Sequence, residues 1–188
     1  MFIQTEETPN PLTLKFLPGR PVMESGTANF PSAATAGRSP LALSLFDLDG
    51  VTGVYLGADF ITVTKGGDRD WFTMKPSVLG VIMEHFTANK PVIVDGGEAA
   101  GEAAGSGEAA GEDSELVTQI KELIDTRVRP AVAQDGGDIV FQSFEEGIVY
   151  LHMQGSCSGC PSSTATLKMG IENMLKHYIP EVTEVRAV

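Results

Sequence analysis

Between Asp95 and Asp113 the chain reads DGGEAAGEAAGSGEAAGED, nineteen residues without one basic, aromatic or large aliphatic side chain. The unit GEAAG occurs in it three times. Such a stretch cannot bury enough apolar surface to offset the entropy of ordering it, so no core can run through it. Alanine and glutamate favour helix, but the glycines oppose it. The stretch also carries −6 of the net charge of −12, against −2 for residues 1–94 and −4 for residues 114–188. A flexible, self-repelling acidic linker is expected, with a span of about 25 Å if it behaves as a glycine-rich coil. Folding is then confined to its two sides. The expectation is two small α+β domains, residues 1–94 and 114–188, on a tether of residues 95–113.

Composition narrows the class further. A hydrophobic fraction of 42% and a charged fraction of 20% suit a soluble globular protein. No apolar run approaches the ~20 residues of a membrane span. The N-terminal MFIQTEETPNP lacks the basic and apolar blocks of a signal peptide, and its glutamates argue against a transit peptide. The acidic balance disfavours nucleic acid and anionic membranes as partners. Two closely spaced cysteines in such a chain suggest a reducing compartment. A bacterial-type cytoplasm is expected, or the mitochondrial matrix if the chain is a processed form.

In the first half, FIQTEE and LTLKFLP read as strands separated by the proline-broken TPNP turn. Residues 19–39 are rich in Pro, Gly, Ser and Ala and read mostly as loop. Ser39 suits an N-cap with Pro40 in the first helical turn. VTGVYLGADFITVTK reads as a hairpin around Gly57, Ala58 and Asp59. KPSVLGVIMEHFTAN places Val78, Leu79, Ile82, Met83 and Phe86 on one helical stripe. His85 has no Cys, Asp or second His in ligand register and reads as a surface or core-edge residue. Trp71 reads as core rather than as a binding anchor.

The second half carries the chemistry. Asp113 or Ser114 can cap a helix with apolar positions at Leu116, Val117, Ile120, Leu123, Ile124, Val128 and Ala131, bending or loosening at Pro130. DGGD at 135–138 turns the chain, and IVFQSF and IVYLHMQG follow as strands. Leu167, Ile171, Met174, Leu175 and Tyr178 mark a second helix ending near Pro180, and VTEVRAV is a last strand. The order is α-β-β-α-β, with helices packed on one face of a three-stranded sheet.

Both cysteines, Cys157 and Cys160, lie in GSCSGCPSST at the junction of strand and second helix. A helix N-terminus favours thiolate over thiol. Gly155 and Gly159 allow backbone N–H groups to approach sulfur, Pro161 stiffens the exit, and the serines add little bulk. The loop reads as holding two anionic sulfurs together at the surface. Three chemistries fit. An iron–sulfur cluster normally takes four thiolates, so two per chain would require two chains. Zinc in a Cys₄ site shared by a dimer is the second, with no histidine in register as a third ligand. His152, five positions before Cys157, reads as an ordinary strand residue. A thioredoxin-like disulfide is the third, although this half is short for that fold and no tryptophan flanks the motif.

The segment DGGDIVFQSFEEGIVYLHMQGSCSGCPSSTATLKMGIENMLKHYIPEV closely resembles the NifU-like (Nfu) domain, with its GSCxGCPSS loop followed by TLKxGIExML and IPEV. TPNPLTLKF, SPLALSLF and GVYLGADFITVTK resemble the N-terminal domain of the same family. The resemblance implies an iron–sulfur cluster scaffold or carrier rather than an enzyme. It implies Cys157 and Cys160 as ligands of a 4Fe-4S cluster shared between two subunits. The partners implied are a second copy through the C-terminal domain when loaded, an upstream cluster donor, and apo iron–sulfur recipient proteins. The linker matches nothing in that pattern. The cysteine-rich and ferredoxin-like domains of full nitrogen-fixation NifU have no counterpart here, which points to general rather than nitrogenase-specific delivery.

Overall fold

The computed structural model describes residues 1–94, 112–158 and 161–188. The chain divides into two compact units, Met1–Gly101 and Glu102–Val188. Most of the expected linker, residues 95–111, lies outside the described residues.

The first unit is α+β. Strands β1 (Gln4–Glu7), β2 (Thr13–Leu17), β3 (Ala28–Phe30), β4 (Val51–Leu56) and β5 (Ile61–Lys65) form one antiparallel sheet in the order β1-β2-β5-β4-β3. Helix α1 (Pro40–Phe46) is capped as its sequence predicts, the Ser39 hydroxyl accepting from the Ala42 N–H at 3.1 Å. The β4–β5 hairpin turns at the expected residues, and the Gly57 N–H donates to the Phe60 carbonyl at 2.9 Å.

Several expectations change. The stretch 19–39 is not mostly loop, since it contains β3 and a 3-10 helix, Ala33–Arg38. A three-residue strand has little local signal, and pairing with β4 across Ala28↔Leu56 and Phe30↔Val54 creates it. Helix α2 (Trp71–Thr87) starts four residues before the predicted segment because Asp70 caps it, accepting from the Phe72 N–H at 3.1 Å. Val78, Ile82 and Phe86 are buried as expected, but Met83 is exposed and Met74 takes its place in the core. His85, expected at the surface or at the edge of the core, is buried at 3% exposure. Trp71 is half-buried against the core, edge-on to Phe16, its indole N–H donating to the Pro11 carbonyl at 3.2 Å.

The second unit follows the predicted α-β-β-α-β order, with its first helix in three pieces. Helix α3 (Glu112–Leu123) passes through a π-helical turn, Ile124–Val128, into α4 (Arg129–Gln134). The loosening falls immediately before Pro130, whose ring would crowd a regular α-helical carbonyl four residues back. α3 begins at Glu112, ahead of the expected cap at Asp113 or Ser114. Then come β6 (Gly137–Glu145), β7 (Ile148–Gly155), α5 (Pro161–Tyr178) and β8 (Glu184–Ala187). The sheet order is β6-β7-β8, with β6 antiparallel and β8 parallel to β7.

Burial alternates along β7, with Val149, Leu151 and Met153 facing the core and their neighbours half-exposed, as a sheet covered on one face requires. A bulge between Phe141 and Ser143 reverses the parity of β6, so Ile139, Phe141 and Phe144 all reach the same core. From the helices, Ile120, Ile124, Val128, Val132, Ile171 and Leu175 complete it.

Candidate functional site

β7 ends at Gly155, whose φ of 62° is a left-handed conformation that glycine adopts without a side-chain penalty. The chain then turns through Ser156 and Cys157, the Ser158 N–H donating to the Gly155 carbonyl at 3.1 Å. The opposite wall is the DGGD turn before β6, brought alongside by pairing of Gly137 with Gly155. Hydrogen bonds from Ser156 tie the turns together. The Ser156 N–H donates to the Gly136 carbonyl at 3.3 Å, and the Ser156 hydroxyl donates to the Asp135 carbonyl at 2.5 Å. From α5, the Thr164 hydroxyl donates to the Cys157 carbonyl at 3.2 Å.

Cys157 is a free thiol, 6% exposed, within the core cluster that holds Ile139, Leu151 and Met153. Its sulfur lies against the backbone of Gly137. A Cβ there would stand 2.5 Å from Sγ and 3.0 Å from both the Cys157 nitrogen and the Gln154 carbonyl oxygen, so only glycine fits.

Below the turn, the buried Asp138 carboxylate receives both arms of Arg129, from Nε at 2.8 Å and from a terminal nitrogen at 2.7 Å. Its Oδ1 also accepts the Ile139 N–H at 2.8 Å. A two-armed guanidinium–carboxylate pair is geometrically restrictive, and it fixes the start of β6 on which Gly137 sits. Arg129 further reaches Asp125 at 3.3 Å.

The electrostatics follow from this packing. Burial pushes the Cys157 thiol up to about 11, and the nearby Asp135 and Asp138 carboxylates act in the same direction against the Ser156 hydrogen bond. The expected surface thiolate is therefore corrected at Cys157. The helix N-terminus favours thiolate only for a sulfur held at that terminus and in contact with water, whereas this one sits in the core. Cys160 lies outside the described residues. His152 is an ordinary strand residue as expected, its Nδ1 lying 3.0 Å from the Val188 carbonyl. Among the described residues no three His, Cys, Asp or Glu side chains converge as a metal group, and no helix is long and apolar enough to cross a membrane.

Sequence reasoning missed the wall of the cradle: Gly137, Ser156 and the Arg129–Asp138 pair. The available signal was the doubled glycine in DGGD, which reads as a turn without showing what packs on it.

A small α+β module with a CxxC pair between its second strand and its second helix, carried on one chain with a second α+β module, defines a two-module α+β protein. The comparisons give that class its family. Residues 3–89 match the family model described as "Scaffold protein Nfu/NifU N terminal", and residues 120–186 match "NifU-like domain". The "NFU1 iron-sulfur cluster scaffold homolog, mitochondrial" of Homo sapiens is 53% identical over 189 residues, covering 100% of this chain and 72% of that protein. "NifU-like protein 4, mitochondrial" of Arabidopsis thaliana is 52% identical, covering 98% of this chain and 65% of that protein. The chain belongs to the Nfu/NifU iron–sulfur cluster scaffold family. Among solved structures, a NifU-like protein from Saccharomyces cerevisiae aligns with a TM-score of 0.46 at 25% identity, covering 51% of this chain and 87% of that one.

Proposed function

We propose that this protein is an iron–sulfur cluster carrier, in which Cys157 and Cys160 of two copies jointly ligate one 4Fe-4S cluster that is then passed to apo-proteins. The observation that supports it is arithmetic in the sequence: the chain owns two cysteines, two residues apart, where a 4Fe-4S cluster usually takes four thiolates. The cluster is cargo, not a catalytic group. Release is ligand exchange, and two ligands per chain let a recipient's thiolates replace them stepwise.

A thiol–disulfide oxidoreductase would attack through an accessible thiol; Cys157 is 6% exposed, and Cys160 lies outside the described residues. We assign residues 1–94 to partner choice, since the first half contains no cysteine. Naming of the human and Arabidopsis relatives as mitochondrial favours the mitochondrial matrix over a bacterial-type cytoplasm.

The test is anaerobic reconstitution followed by iron and sulfide analysis and sedimentation. About four iron and four sulfide per two chains is expected, in a dimeric species. Cys157→Ser or Cys160→Ser alone should abolish stable loading while the apo fold persists. A single variant that retains a full cluster would refute the reading, as would a zinc-only dimer.

A further inference from the structure

A ligand to a cluster shared between two chains must present its sulfur to a partner, yet the Cys157 side chain is 6% exposed. On the Gly137 side there is no room for a single methyl carbon, since one would lie 2.5 Å from Sγ. That face of the sulfur is therefore covered by the chain itself. Among the hydrogen bonds that hold the turn are the two from Ser156 to the DGGD turn and the Thr164 bond to the Cys157 carbonyl. One end of the turn is Gly155 in its left-handed conformation, and the other is the exposed Ser158. The wall is comparatively rigid, being bonded through Asp138 to both arms of Arg129.

We propose that the metal-free protein stores Cys157 in a dock formed by residues 135–138, and that the 155–158 turn must swing out of this dock before Cys157 can ligate a cluster. Gly137 and Ser156 are the positioning residues. Gly137 makes the dock by having no side chain, and Ser156 fastens the turn to it through the Asp135 carbonyl. The inference rests on Cys157 being a cluster ligand, but the dock itself is a property of the apo chain. Storage shields the sulfur from oxidants between loadings and makes cluster capture depend on a local opening.

The test uses full-length apo-protein carrying Cys160→Ser, so that Cys157 is the only thiol and no intramolecular disulfide can form. Its labelling by iodoacetamide is followed by mass spectrometry in native buffer, in low urea and in the unfolded chain. Native labelling is expected to be at least about 100-fold slower than in the unfolded chain, and insensitive to low urea, as local opening predicts. Ser156→Ala should speed native labelling about 3–10-fold, the loss of one hydrogen bond, without restoring the unfolded rate. Gly137→Ala should speed it further if it folds; Ser156→Ala carries the test if it does not. Native labelling at the unfolded rate would overturn the dock. So would labelling that tracks global unfolding in urea, because the turn would then not open within the folded protein. Cluster loading of the unmodified chain is scored separately. A chain that shows the labelling pattern but never binds a cluster would sink the carrier reading and leave the dock standing.

Discussion

Among the described residues, seven polar or charged ones are buried in the first unit, Asn10, Thr13, Lys15, Ser39, Thr62, Lys65 and His85, whereas in the second only Asp138 and Ser156 are. The first set is scattered and serves the fold. Asn10 accepts the Leu12 N–H in a turn, and Ser39 caps α1 and donates to the Val92 carbonyl at 2.7 Å. Lys15 pairs with Glu6 at 3.2 Å and lies over the Phe60 ring, while Lys65 donates to the Arg69 carbonyl at 2.6 Å. The second set is concentrated. Asp138 and Ser156 both belong to the cradle of Cys157. Buried polar groups cost free energy unless satisfied, so where they gather indicates where geometry is being held most tightly. In one unit that is spread along the framework; in the other it surrounds one sulfur.

The bluntest way to break this comparison is to separate the halves. Each unit has its own apolar cluster, that of the second joining β6, β7 and β8 to α3 and α5. Residues 112–188 expressed alone should load a cluster to the same stoichiometry as the full chain, and residues 1–94 should load none. Visible absorbance and iron content after reconstitution measure this. Loss of loading by a folded 112–188 piece would place part of the site's support in the first unit.

A subtler change removes the brace rather than the ligand. Arg129→Ala leaves the buried Asp138 carboxylate with only part of its hydrogen bonding. Breaking a buried pair costs about 3–5 kcal/mol, and Arg129 is partly solvated, so about 2–3 kcal/mol is expected for the second unit. Urea unfolding followed by a probe in each unit should show the second transition shift and the first stay fixed. A shift below about 0.5 kcal/mol would make the pair a surface ornament.

How much of this was legible in the sequence divides along the same line. The α-β-β-α-β order came through because β7 alternates cleanly and α5 repeats with helical period, so local pattern and tertiary burial agree. The position of Cys157 just after the end of β7 followed from the same pattern. What did not come through depends on non-local packing. β3 exists because β4 offers it an edge. The β6 bulge brings Phe144 to the same core as Phe141 without altering composition. Inward rotation of Cys157 depends on Gly137, twenty residues earlier in the chain, being a glycine. A local rule correctly says what a thiol at a helix N-terminus does, but not whether the thiol stays there.

The smallest expected effect tests the first unit's end of the comparison, at His85. Its ring is buried edge-on to Phe86 at 5.7 Å, and Nε2 has no hydrogen-bond partner. Burial, and next the Lys90 charge, hold its pKa below the ordinary 6.5, against backbone hydrogen bonds at Pro91 and Lys90 that act the other way. For a base with a lowered folded-state pKa, the unfolded chain binds more protons between the two values. Stability therefore rises with pH through that window and is lost as pH falls below about 6.5, until the folded-state value is also passed. The first unit should accordingly be less stable at pH 5.5 than at pH 7.5, with carboxylates contributing to the total. His85→Phe isolates the histidine share, since it keeps an aromatic ring and removes both the titration and the orphaned nitrogen. The variant should show a flatter dependence of unfolding midpoint on pH between 5.5 and 7.5, with near-equal stability at the upper end. The second unit's transition should have the same pH dependence in both proteins. An unchanged slope in the first transition would mean that His85 gains a proton partner on acidification, and that its burial is not what sets its charge.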